Sequence, residues 1–182
     1  HLVLLFSAPT FSVDVINTMY LTSIQNCYVI DESTGIGYKI IYQSQTWQVA
    51  KKRCEENGAM LAVPKSIEEF KFMQRLVRAM YLPNITNSEF KLIVWLGINN
   101  LEDYRIWRNI YGENIEETGF HIWAENNGKG YSDEPAEPHC AGLDAVNWLR
   151  DFWCHRRQPY IYAVLKRTPP FQTINQKLLT KY

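Results

Sequence analysis

The chain has 182 residues, a formal net charge of zero, 46% apolar and 14% aromatic side chains. That is the size of one domain with ample material for a core. Zero net charge removes any global case for nucleic acid or an anionic membrane as partner, and no apolar run approaches the roughly 20 residues of a membrane-spanning helix.

The chain opens His1-Leu2-Val3-Leu4-Leu5-Phe6-Ser7-Ala8-Pro9, without an initiating Met. An apolar run followed by small residues reads as the remnant of a secretory signal peptide over residues 1–12, cleaved between Ser7 and Ser12. The alternative is an apolar first strand. A signal peptide places the mature chain in an oxidising compartment. The four cysteines, Cys27, Cys54, Cys140 and Cys154, fit that with two bridges and three pairings open.

Residues 13–35 form an N-terminal extension ending in the turn Asp31-Glu32-Ser33-Thr34-Gly35. Tyr38–Tyr42 is a strand. Thr46 caps a first helix whose inner face carries Trp47, Ala50 and Cys54, and Asn57-Gly58 stops it. Met60–Val63 is short, buried and extended. Ser66-Ile67-Glu68-Glu69 is a capping box. It opens a second helix with Ile67, Phe70, Met73, Val77 and Met80 as its core stripe, ended by Pro83.

Asn84-Ile85-Thr86 is an N-glycosylation triplet in a polar loop. Leu92–Asn99 is an apolar, β-branched run with a Trp, closed by Gly and Asn, and reads as a buried strand. Tyr104–Trp107 reads as another short strand. From Gly112 to Gly142 no period is found, and an irregular segment of that length inside a domain is usually functional. Tyr160–Leu165 is the final strand, broken by Thr168-Pro169-Pro170, and residues 167–182 form a loose tail.

The order of these landmarks resembles a C-type lectin-like domain over residues 36–166. Trp47, Ala50, Cys54, Gly58, Ala59 and Leu61 match that family's first helix and the turn after it. Trp95-Leu96-Gly97-Ile98 looks like its central strand. Cys140, Asp151 and Cys154 match the bridged end of its long loop. The resemblance implies an α+β fold: two helices flanking antiparallel sheets, first and last strands paired, and a long irregular loop region that presents the binding site. Gly35-Ile36-Gly37-Tyr38-Lys39, Tyr111-Gly112-Glu113, Thr118-Gly119-Phe120 and Trp123 look like the insect secreted branch described as hemolymph lipopolysaccharide-binding proteins.

The same resemblance implies a Cys140–Cys154 bridge. The family's other bridge joins the first-helix cysteine to one in the last strand, where this chain has Tyr162. Cys27 is the expected substitute partner for Cys54; a free or intermolecular thiol is the alternative. Sugar-binding relatives hold calcium through a Glu-Pro-Asn or Gln-Pro-Asp triplet, a Glu before the loop cysteine and an Asn-Asp pair. Counted from Trp123, the triplet slot falls on Asn126-Asn127-Gly128-Lys129, where an ammonium repels the metal. Counted back from Cys140, it falls on Glu134-Pro135-Ala136. Arg150-Asp151 stands where Asn-Asp is expected. Calcium wants six to eight oxygen ligands. The expectation is therefore no metal cofactor, with Glu134, Glu137 and Asp151 as the ligands if calcium binds.

The candidate ligand-binding residues are Asn127, Lys129, Glu134, Glu137, Trp148, Arg150 and Asp151. The acidic ones also read as an ordinary solvated loop. Trp148 and Trp153, with Arg150, His155, Arg156 and Arg157, offer stacking faces and guanidinium groups suited to a phosphorylated glycan, or else belong to the core and a solvated edge. A zinc site from His139-Cys140 and Cys154-His155 is disfavoured, since sequence neighbours in extended chain face opposite ways. A cysteine hydrolase is disfavoured because all four cysteines have structural explanations. The expectation is a secreted, non-enzymatic protein recognising carbohydrate or lipopolysaccharide in innate immunity. The alternative is a lectin-like module that binds a protein without sugar, as a venom or parasite factor.

Overall fold

The computed structural model describes residues 28–88, 93–129 and 139–165. The signal-peptide reading, Cys27, Glu134, Glu137 and the tail from residue 166 lie outside the described residues. Among the described residues three α-helices pack with eight strands in one mostly antiparallel sheet, an α+β fold. The strands are β1 (Val29–Asp31), β2 (Ile36–Gln45), β3 (Met60–Leu61), β4 (Val94–Asn99), β5 (Arg108–Asn109), β6 (His139–Leu143), β7 (Arg150–Trp153) and β8 (Gln158–Leu165). The helices are α1 (Trp47–Glu56), α2 (Ile67–Arg78) and the single turn α3 (Ile115–Thr118).

The local chemistry explains the helix ends. Thr46 Oγ1 accepts the Val49 N–H, and Asn57 Nδ2 donates to the Arg53 carbonyl where α1 stops. Gly58 then takes a left-handed conformation that a Cβ would strain. Ser66 Oγ accepts from Glu69 N at 3.2 Å, the first half of the expected capping box. The second half differs: the Glu69 carboxylate reaches one residue further back, to the Lys65 N–H at 2.6 Å. Ile67, expected on the core stripe, is 39% exposed. As the first residue inside the cap it sits at the rim of the face that Phe70, Met73 and Val77 bury.

The sheet runs in the order β1-β2-β8-β4-β6-β7, with β3 on β8 and β5 on β4. The first long strand and the last therefore pair, Tyr38 opposite Ala163 and Ile40 opposite Ile161. The alternation of β4 splits the core. Val94, Leu96 and Ile98 join Phe70 and Met73 of α2, while Trp95 joins Trp47 and Ala50 of α1. Each such fully buried large side chain contributes roughly 1.5–3 kcal/mol. Gly97 lies where a Cβ would be 2.9 Å from the Leu61 carbonyl oxygen, so only glycine lets β3 approach.

The strand expected over Tyr104–Trp107 is not formed. Asp103 Oδ1 takes the Arg105 N–H and the Asp103 carbonyl takes Ile106 N, making a turn. Pairing with β4 begins only at Arg108.

Cys54 is a buried free thiol, so the expected bridge from it to Cys27 is not made and the free-thiol alternative holds; burial pushes its pKa up to about 12. The last-strand position, where the family has its partner cysteine and this chain has Tyr162, is held by hydrogen bonds instead. Tyr162 Oη donates to the Arg53 carbonyl at 3.2 Å and accepts from Asn57 Nδ2 at 3.3 Å. The phenol thus ties β8 to the last turn of α1. Tyr162→Phe is expected to cost about 1 kcal/mol in urea unfolding, because it removes this tie and keeps the ring; an unchanged midpoint would show that the tie contributes nothing.

Candidate functional site

From Ile110 to Lys129 the chain is irregular apart from α3; of the span 112–142 expected to lack regular structure, residues 130–138 lie outside the described residues and residues 139–142 belong to β6. The framework of the irregular part is a set of side chains that hold the backbone. Asn109 Oδ1 accepts from Tyr111 N and Glu113 N, and its Nδ2 donates to Glu113 Oε2 at 2.7 Å. Further on, Ala124 N donates to the Leu149 carbonyl and Leu149 N to the Ile122 carbonyl. Residues 122–128 are thereby laid against the start of β7.

Gly128 is the node of this loop. Its N–H donates to Asp151 Oδ2 at 2.7 Å, and its carbonyl accepts from Trp107 Nε1 at 2.8 Å. Asn127 Oδ1 accepts the Asp151 N–H at 3.0 Å. Trp107 and Trp123 lie with ring centroids 4.5 Å apart. Gly128 sits against the Trp123 ring with φ at +77°, and a Cβ there would fall 2.3 Å from that ring. Two tryptophans, one carboxylate and one amide therefore hold residues 123–128 in place.

Burial pushes the Asp151 carboxyl up, against the Gly128 N–H and the neighbouring His139 and Arg150, which favour the charge. Its raised value means that the folded chain binds this proton more readily than the unfolded chain does. The charge therefore costs stability above the raised value, and the cost is relieved as pH falls through it towards the ordinary Asp range. Asn keeps the oxygen acceptor and removes the charge. Asp151→Asn is expected to match or exceed the wild type in stability at neutral pH and to flatten this dependence. Asp151→Ala leaves the Gly128 N–H unpaired and costs about 1–3 kcal/mol. Melting curves across pH test this; an Asn variant as weak as the Ala variant would refute it.

Of the residues singled out from the sequence, the structure brings together Asn127, Lys129 and Asp151. Lys129 is exposed, its Nζ 3.3 Å from Asn126 Oδ1. Arg150, next along the strand from Asp151, binds Asp144 Oδ2 at 3.1 Å. Burial alone would raise Asp144, but hydrogen bonds from Asn147, Val146 and Arg150 outweigh it and hold that carboxyl low. Trp148 lies apart from the Gly128 node, against Phe70 and Phe120 at 5.8 and 5.9 Å, with 38% of its surface exposed. Trp153 is half-buried, edge-on to His139. Trp107 and Gly128, the two strongest pins of the loop, were not among the sequence candidates. The glycine after two asparagines, Asn126-Asn127-Gly128, was the available signal.

The bridge Cys140–Cys154 is formed, with Cα atoms 5.1 Å apart, and it fastens β6 to the end of β7. Both cysteines are thereby lost as zinc ligands. Of the three residues expected to hold calcium if it binds, Glu134 and Glu137 lie outside the described residues. Among the described residues no three His, Cys, Asp or Glu side chains gather. Asp151, the one candidate ligand among them, spends an oxygen on Gly128, and Asn127 spends its own on Asp151 N. Calcium needs six to eight oxygens, several anionic.

Comparison with known proteins gives a single direction. The family described as "Lectin C-type domain" matches residues 43–161. The CD209 antigen of Symphalangus syndactylus is 24% identical over 132 residues, which is 72% of this chain and 28% of that protein. The C-type lectin domain family 4 member M of Nomascus concolor is 24% identical over 123 residues, 68% of this chain and 25% of that protein. The chain thus spans about a quarter of the length of these relatives. The mouse scavenger receptor C-type lectin carbohydrate-recognition domain superposes with a TM-score of 0.56 at 20% identity, covering 75% of this chain and 94% of that one. A calcium-independent type II antifreeze protein superposes with a TM-score of 0.56 at 17% identity, covering 76% and 91%.

Proposed function

Since the chain belongs to the Lectin C-type domain family, we propose that it recognises a glycan on its long-loop surface without using calcium. The observation that carries this is the Gly128 node, where Asp151 closes the loop from within. Asp151 gives Oδ2 to the Gly128 N–H, and an exposed ammonium, Lys129, follows directly in the chain, which disfavours a cation there. The fold itself tolerates such a design, since one protein of similar structure is described as calcium-independent.

The ligand is an anionic glycan, such as the phosphorylated lipid A region of lipopolysaccharide. Lys129 is exposed at the node, and His155 and Arg157 are exposed on the turn after β7. Lysine and arginine side chains such as Lys129 and Arg157 recognise phosphate or carboxylate, and tryptophan faces such as that of Trp148 stack on sugar rings. The protein acts outside the cell, and recognition of bacterial surfaces in innate immunity is its role. No chemistry is catalysed.

A glycan array with phosphorylated, sulfated and neutral sugars tests the reading. Anionic glycans are expected to bind, and Lys129→Ala to weaken them by about fivefold, roughly 1 kcal/mol, with the melting temperature unchanged. Binding to no glycan would overturn it and leave a protein partner as the ligand.

A further inference from the structure

The triplet Asn84-Ile85-Thr86 occurs once in the sequence and no other Asn-x-Ser/Thr triplet does. Its Asn lies on a 3-10 turn, Leu82–Asn84, that follows α2. The Asn84 side chain is exposed, while Ile85 is buried. Thr86 is fixed on the edge of β2: its N–H donates to the Tyr42 carbonyl at 3.2 Å and its carbonyl accepts from Ser44 N at 3.0 Å. The acceptor amide therefore stands at a defined place and points outward.

Beside it is an apolar crevice of about 250 Å³. Leu82 and Ile85 of the same turn line it, with Val77 at the end of α2, Met80 just beyond that helix, Pro159 of β8 and Val146 of the β6–β7 turn. Leu82 is 56% exposed and Val146 is 78% exposed. Adjacent exposed apolar side chains around a hollow usually mark something that covers them. The glycosylation triplet names the cover, because Asn84 lies between two of the lining residues.

We propose that Asn84 carries an N-linked oligosaccharide whose inner sugars roof this crevice. The C–H faces of the pyranose rings and the acetamido methyl groups lie on Leu82 and Val146, and the hydroxyls face water. The donor is an oligosaccharide on a lipid pyrophosphate. The bond from Asn84 Nδ2 to the sugar C1 forms and the C1–O bond to the pyrophosphate breaks. The lipid pyrophosphate leaves with the electron pair, and the amide loses one proton. The inference rests on the extracellular reading above and is independent of what the long loop binds.

The test uses the chain secreted from a eukaryotic host. Intact mass is measured before and after peptide-N-glycosidase treatment of the folded protein, and the converted residue is located by peptide sequencing. One oligosaccharide, at Asn84, is expected. Its removal is expected to raise fluorescence of an apolar dye and speed hydrogen exchange in residues 80–86 and 144–147. Trimming to the first sugars should leave both readings near those of the intact glycoprotein. Asn84→Gln should reproduce the enzymatic result; enzymatic removal gives the same information if that variant is not secreted. A secreted chain with Asn84 unmodified would overturn the proposal, and so would a glycan whose removal leaves dye binding and exchange unchanged. Neither result bears on the glycan array, so the two readings fail separately.

Discussion

Gly128→Ala is expected to open the long loop and abolish glycan binding. The new Cβ would fall 2.3 Å from the Trp123 ring, at a residue whose φ is +77°. Neither obstacle can be relieved by a side-chain rotation. The ring is itself packed on Trp107, and Trp107 Nε1 binds the Gly128 carbonyl. The backbone must move, and both hydrogen bonds at this residue go with it. Overpacking and the left-handed conformation together cost on the order of 3 kcal/mol. The loss is local, so the domain should remain folded while residues 122–129 lose hydrogen-exchange protection. Retained protection at the Gly128 position would show that the loop has another means of closure.

Removing the Cys140–Cys154 bridge, by Cys140→Ala with Cys154→Ala, is expected to lower stability by about 3 kcal/mol. The cysteines are 14 residues apart, and the loop-closure entropy returned to the unfolded chain sets that magnitude. The native geometry adds a second cost. Both cysteines are buried in the cluster with Trp47 and Trp95, so the truncated side chains leave a void. The Cys154 carbonyl also accepts the Trp47 N–H at 2.9 Å, which fixes the first turn of α1 to the bridge. Urea unfolding of the double variant and of the reduced wild type checks this. A midpoint unchanged by either treatment would mean that the bridge constrains nothing that matters to the fold.

The helix ends were legible because their causes are local. Thr46 and Ser66 each cap through a hydrogen bond spanning three residues, and Gly58 follows directly on the helix it ends. The Cys140–Cys154 bridge was legible from resemblance, since the landmarks around it stand in the family's order. The closing of the loop was not legible. Gly128 meets Asp151 across 23 residues and Trp107 across 21. Nothing in the composition of residues 112–142 says which side chains will meet. Asp151 was identified, but as a ligand and not as a clasp. Arg150, read beside it as a possible ligand contact, turns instead to Asp144, because neighbouring strand residues face opposite sides. Tyr104–Trp107 was misread as a strand because its aromatic and branched residues favour one, while Asp103 captures the backbone first.

The most direct measurement is a glycan titration performed twice on the same protein, once in excess calcium and once with a chelator. With Asp151 committed to the Gly128 N–H, affinity and melting temperature should be the same in both. Binding that vanishes with the chelator and returns with calcium would contradict the assignment of Asp151 to the loop.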